Sequence, residues 1–228
     1  MSKKKQTPES EGAEEFTRLA PYRRPTDNEW QAELEIKRST FIGLVRQTPT
    51  EAEARAFIDE VRERYPDARH HCSAYLVHQD GAQPIERSSD DGEPAGTAGQ
   101  PMLEVLRGSG ALDVTAVVVR YFGGVLLGTG GLVRAYHDAT KAALDKVTWV
   151  TRTQLELYRV ELNHDEAGRV ESDIRNAGYQ ILETDYAAQV GFLIAGDDAL
   201  ATHLASWTQG RVEPTRAGQR WVDLPTGS

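Results

Sequence analysis

The 228-residue sequence predicts an α+β protein of two units behind an N-terminal tail, on three observations. Residues 112–122 (LDVTAVVVRYF) are β-branched and apolar for most of their length, the composition of a strand buried in the middle of a sheet. Within residues 30–148 that strand is surrounded by short alternating segments and by segments of helical period. The last eighty residues carry strand and helix signals in the order βαββαβ, the ferredoxin-like arrangement with two helices on one face of a four-stranded sheet.

Taken in order, residues 1–29 hold six basic and six acidic residues with few apolar ones, and are expected to be a flexible tail. Lys3-Lys4-Lys5 in that tail reads as a solvated start, an address or a nucleic-acid contact. Residues 30–38 and 40–47 alternate like a hairpin with its turn near Arg38-Ser39. Thr50 followed by Glu53 has capping-box spacing, and Ala54, Phe57, Ile58 and Val61 recur at helical intervals over residues 51–64 until Pro66. Residues 71–79 read as a strand. Residues 80–99, with six glycines and prolines, read as a loop ending in a short helix over 101–107. After the strand at 112–122 come Gly123-Gly124 and Gly128-Thr129-Gly130-Gly131, then a helix over 132–146. The second unit begins near residue 149, with strands at 153–162, 179–186, 188–195 and 211–222 and helices at 165–176 and 197–208.

Composition excludes several classes. No apolar run approaches the ~18–20 residues that span a bilayer, and the lysine-rich, then acidic, start does not read as a secretory signal. Cys72 is the sole cysteine, so neither an internal disulfide nor a cysteine-based zinc cage can form, and a cytoplasmic location is expected. The G-x-x-x-x-G-K-[S/T] signature of a P-loop is missing.

Two polar, glycine-rich stretches joined to helix starts carry the candidate chemistry, because exposed N–H groups at such starts attract anions. The first contributes Arg87, Ser89, Asp90, Asp91, Glu93 and Thr97. The second contributes Arg120, Tyr121, Gly123, Gly124, Gly128, Gly130, Gly131 and Arg134. Asp90, Asp91 and Glu93 suit a hard cation such as magnesium, or else cap turns and pair with Arg87. The glycines either approach a phosphate or supply positive φ and close packing. His71 and Cys72 are neighbours on a strand and point to opposite faces, so they cannot share one metal. No serine sits in a nucleophile elbow, and no catalytic residue is assigned.

Four motifs occurring in order sharpen this reading: Lys37-Arg38-Ser39-Thr40-Phe41-Ile42, His71-Cys72-Ser73-Ala74-Tyr75, Ser89-Asp90-Asp91-Gly92-Glu93-Pro94-Ala95-Gly96-Thr97-Ala98-Gly99, and Arg120-Tyr121-Phe122-Gly123-Gly124 continuing to Tyr136. Together they resemble the YigZ/IMPACT family over residues 30–146, and the βαββαβ tail fits that family's C-terminal domain. The resemblance implies a first domain like the second domain of ribosomal protein S-five, a mixed sheet with helices on one face, over residues 30–148. It also implies a translation-linked, non-catalytic regulator or binding module that contacts RNA, the ribosome or a translation-control protein. A different reading keeps the same loops for a phosphorylated small molecule or nucleotide with magnesium. Charge opposes nucleic acid: the chain carries −9, with −4 over residues 30–148 (13 basic, 17 acidic) and −5 over 149–228 (7 basic, 12 acidic). An RNA contact therefore rests on a local patch of Arg87, Arg120 and Arg134.

Overall fold

In the computed structural model, which describes residues 20–226, the chain forms two antiparallel five-stranded sheets and five helices. Lys3-Lys4-Lys5 lies outside the described residues. Strand β1 (Tyr22–Pro25) falls inside the stretch expected to be a flexible tail, and that boundary is corrected. Its pairing explains the difference: it runs antiparallel to residues 149–152 of the second unit, and Arg23 bridges Ala111 of the first. The tail's last residues are thus a seam between the two units.

The first unit holds β2 (Glu29–Ile36), β3 (Ser39–Gln47), α1 (Glu51–Arg64), β4 (His70–Val77), β5 (Ile85–Ser89), α2 (Gly99–Ser109), β6 (Val114–Tyr121) and α3 (Thr129–Leu144). Strand order is β2-β3-β6-β4-β5, with every pairing antiparallel. The β2–β3 turn is Lys37-Arg38, both at positive φ (49° and 66°), one residue earlier than the sequence suggests. The Thr50 hydroxyl accepts the Glu53 N–H (3.2 Å), the cap its spacing predicts, and Ala54, Phe57, Ile58 and Val61 are all buried.

Helices cover both faces of this sheet. Phe41, Val45, Cys72, Ala74, Ala116 and Val118 pack on α2 and α3, while Ile42, Leu44, Tyr75, Val77, Val117 and Val119 pack on α1. The expected mixed sheet with helices on one face is corrected in those two details, within the same α+β class. A strand such as Ala116-Val117-Val118-Val119, apolar at odd and even positions alike, must be covered on both sides.

The second unit is β7 (Trp149–Leu162), α4 (His164–Asn176), β8 (Gln180–Tyr186), β9 (Val190–Gly196), α5 (Ala199–Thr208) and β10 (Thr215–Pro225), the βαββαβ order read from the sequence. Strand β7 lies between β10 and β9, β9 pairs with β8, and α4 and α5 bury Val170, Ile174, Leu200 and Leu204 against Val160, Leu162, Phe192 and Ile194. No helix among the described residues is long and apolar enough to cross a membrane.

Candidate functional site

The Ser89–Gly99 loop is folded by its own carboxylates. The N-cap of helix α2 is Ala98, whose methyl side chain cannot accept a hydrogen bond. Asp90 does the capping from eight residues upstream. Its Oδ1 accepts the N–H groups of Ala98 (3.0 Å) and Gly99 (2.8 Å), and its Oδ2 accepts that of Gly96 (2.7 Å). Asp91, at φ 43°, ties the loop to β4, because its Oδ2 accepts the His71 N–H (2.6 Å) and its carbonyl accepts from His70 Nδ1 (2.8 Å). The buried Glu93 reaches inward, where its Oε1 accepts from Arg120 Nη1 (2.6 Å) and the Tyr136 hydroxyl (2.8 Å). Thr97 closes a turn by donating to the Pro94 carbonyl (2.7 Å). The sulfhydryl of Cys72 donates to the Asp90 carbonyl (2.9 Å), and burial pushes its pKa up to about 12, so it stays a thiol at neutral pH.

Burial pulls the Asp90 carboxyl upward, but its three N–H donors outweigh that and hold it below its ordinary value of 3.8. The lowered folded pKa fixes the sign: this stabilisation is full above 3.8 and is lost as pH falls through the folded value. Asp90→Asn is expected to cost about 1–3 kcal/mol at pH 7. The same variant should show a flatter loss of stability as pH falls below about 4, read from urea midpoints along that acid limb. An unchanged acid limb would show that Asp90 does not hold the loop.

The second stretch packs across from the first. After β6, Gly123 turns the chain against the β2–β3 turn and donates its N–H to Ser39 Oγ (3.2 Å). Residues Gly124 to Leu127 then lead to α3, whose N-cap is Gly128 (φ 72°, ψ 166°) without any side-chain cap. The first helical hydrogen bond runs from Leu132 N to the Gly128 carbonyl (2.9 Å). The N–H groups of Thr129, Gly130 and Gly131 therefore precede the helical ladder.

Both stretches line one cleft of about 410 Å³, formed by Arg69, His70, Glu93, Pro94, Arg120, Phe122, Leu126, Leu127, Gly128, Thr129 and Leu132. Its rim is apolar: Phe122 is 48% and Leu126 82% exposed. At its base Arg120 is buried, and its Nε has no hydrogen-bond partner. Asp90, Asp91 and Glu93 point to separate tasks in the fold, and no group of three or more metal-ligating side chains is assembled among the described residues.

Residues 37–144, which contain both stretches, match the Impact N-terminal domain, and residues 160–211 match a domain of unknown function, DUF1949. IMPACT family member YigZ of Escherichia coli is 40% identical over 183 residues, covering 78% of this chain and 90% of that one. The chain belongs to the IMPACT family. IMPACT family member YvyE of Bacillus subtilis is 35% identical over 175 residues, covering 77% of this chain and 80% of its own. A crystal structure described only as a hypothetical protein superposes with a TM-score of 0.57 at 38% identity, over 86% of this chain and 97% of that one.

On this IMPACT framework the candidate residues separate into four places. Glu93, Arg120, Gly128, Gly130 and Gly131 belong to the cleft and the helix start beside it. Asp90, Asp91, Thr97, Gly123 and Gly124 shape the loops, and Ser89 Oγ accepts the Asp91 N–H (3.3 Å). Arg87 and Tyr121 lie on the α1 side of the sheet. Arg87 pairs in register with Tyr75, whereas Arg120 pairs with Phe41 of the opposite face. Arg134 is exposed on α3, with its Nε donating to the Gly130 carbonyl (3.3 Å). The three-arginine patch is therefore not formed. The carboxylates pair with Arg62 and Arg120, not with Arg87. Sequence reasoning passed over Pro94, Phe122 and Leu126. The apolar run Val125-Leu126-Leu127 inside a glycine-rich turn, where no period assigns it to a core, was the available signal.

Proposed function

We propose that this chain is a cytoplasmic, non-catalytic, translation-linked regulator that binds a translation-control protein through the cleft between its two glycine-rich stretches. Membership in the IMPACT family supports the translation link, and the exposed apolar rim of Phe122 and Leu126 carries the choice of a protein partner. A rim of this kind desolvates well against apolar side chains and gains nothing from a polyanion. Magnesium has no place in this reading, because each loop carboxylate is already engaged by backbone N–H, arginine or tyrosine groups.

The test is reporter synthesis in a cell-free translation extract with added full-length protein. Wild type is expected to change the yield by about twofold or more, and Leu126→Asp to lose that effect with its unfolding free energy held within about 0.5 kcal/mol, as for an exposed site. Equal effects of both proteins would remove the cleft from the function; no effect of wild type would remove the translation link.

A second reading rests on the α1 face, where a hollow of about 350 Å³ is lined by Arg55, Arg62, Arg87 and Asp59 with Ser73, Ser88 and Ser89. Arg55 and Arg62 are paired with Glu51, Asp59 and Asp91, which leaves Arg87 to meet an anion. That is phosphate-binding chemistry and supports contact with RNA, the ribosome or a phosphorylated small molecule. Arg87→Ala would then reduce the salt dependence of RNA retention on a filter by about one phosphate contact.

A further inference from the structure

Resting on the partner-binding reading, we infer that the cleft seats a carboxylate joined directly to an apolar side chain, the chemistry of a partner segment that ends in an apolar residue with its free α-carboxylate. Two independent features converge there. The 16-residue helix α3 begins without a capping side chain, so the N–H groups of Thr129, Gly130 and Gly131 have no helical acceptor, and the positive end of the helix dipole reaches the cavity through Gly128 and Thr129, which line it. Arg120 lines the same cavity, is more than nine-tenths buried, and holds Glu93 through Nη1 alone; its Nε, closed to solvent, is left without a partner, and its Nη2 bonds none of the described residues. A buried donor of that kind is costly unless something accepts from it.

The charge favours a monoanion. Arg69 and Arg120 outnumber Glu93 by one charge around the cavity, and the helix end adds about half a charge more. Doubly charged or polymeric anions meet the buried Glu93 and the −9 chain as repulsion. The remaining lining, Pro94, Phe122, Leu126, Leu127 and Leu132, is apolar, and a 410 Å³ cleft takes one large side chain with the carboxylate next to it. Backbone capture of a chain terminus beside an apolar pocket is an established mode of peptide recognition.

The probe is a fluorescent hexapeptide ending in Leu-Phe, measured by polarisation against the full chain. Its arms are the free acid, the C-terminal amide, the amide with glutamate in place of the leucine, and inorganic phosphate as competitor. The free acid is expected to bind about tenfold or more tighter than the amide. Gly130→Glu should abolish that preference while keeping the fold, because a Cβ at Gly130 meets only open space and an acidic residue in the first turn supports the helix. Equal binding of acid and amide, or no saturable binding, overturns the proposal. Equal binding of the glutamate amide and the free acid moves the carboxylate to a side chain and overturns the terminal form. Displacement by phosphate at low millimolar concentration assigns the site to a phosphorylated ligand. If the acid preference fails while Leu126→Asp still abolishes the translational effect, the partner-binding reading survives without this ligand.

Discussion

Replacing Arg24 by methionine is expected to cost about 3–5 kcal/mol, the loss that follows removal of one partner from a buried ion pair. Arg24 sits on β1 between the two units with its side chain 9% exposed. Its Nε and Nη2 donate to Asp223 of β10 (2.9 and 2.6 Å), and its Nη1 donates to Asp113 (3.3 Å), just ahead of β6. Asp113 is only 2% exposed and stands at φ 53°, so it can neither move to solvent nor easily find a new cation. The Tyr22 hydroxyl (2.6 Å) and the His78 N–H (3.0 Å) keep contact with Asp113, which places the loss nearer the lower figure. Methionine retains the stem's packing and deletes the charge, so the cost reports electrostatics and not a cavity. Urea unfolding followed by fluorescence is the measurement. Trp221, packed edge-on to Tyr22 and His78 at 5.7 and 5.6 Å, reports the seam directly. The midpoint is expected to fall by about 1–2 M for a slope in the usual range. Trp221 exposure should also precede global unfolding, because the residue that ties β10 to the first unit is gone. A midpoint within about 0.3 M of wild type would show that the ion pairs hold nothing together.

Arg24 also marks where the sequence stops being informative. Its partners are 89 and 199 residues away, and a local reading sees only an arginine in a charged, period-free stretch. Helix α1 is the opposite case: Thr50, Glu53 and the four buried apolar positions define it within fifteen residues, and every one of those readings survives in three dimensions. Strand β5 was illegible for a third reason. Its residues Ile85–Ser89 are short, mostly polar and set among prolines and glycines, and it exists as an edge strand only because β4 offers it hydrogen bonds. The site divides along the same line. Glycine and acidic chemistry located both stretches, but whether Asp90 holds a cation or three backbone N–H groups depends on where α2 begins. Phe122 and Leu126 were invisible as site residues because apolar character in a sequence is ordinarily evidence for the core. Their exposure follows from how Gly123 and Gly124 turn the chain away from β6.

Gly123→Ala is expected to be the most disruptive single substitution in the second stretch, and it separates glycines that build the loop from glycines that leave room at the site. A Cβ on Gly123 would fall on the carbonyl carbon and oxygen of Arg38, both backbone atoms that no rotamer change can move aside. Arg38 is itself at φ 66° in a two-residue turn, so the hairpin has no slack with which to retreat. Relief requires shifting the β2–β3 turn or the end of β6, and either breaks the Gly123 N–H to Ser39 bond and disturbs Phe41, which packs edge-on against Tyr136 at 5.3 Å. A loss of about 3 kcal/mol or more follows, at the upper end of what overpacking costs. Gly130→Ala should do the reverse. Nothing lies within reach of its Cβ, its φ is not positive, and alanine is the better helix former by about 1 kcal/mol, so stability should hold or rise. Thermal unfolding of the two variants side by side decides the matter. A Gly123→Ala protein that melts with wild type would mean that the Arg38 turn is free to move. A Gly130→Ala protein that melts well below wild type would mean that Gly130 is held by the fold. With the expected outcome, the bare helix start at Gly130 owes nothing to stability, and its absent side chain is left to be explained by what approaches the cleft.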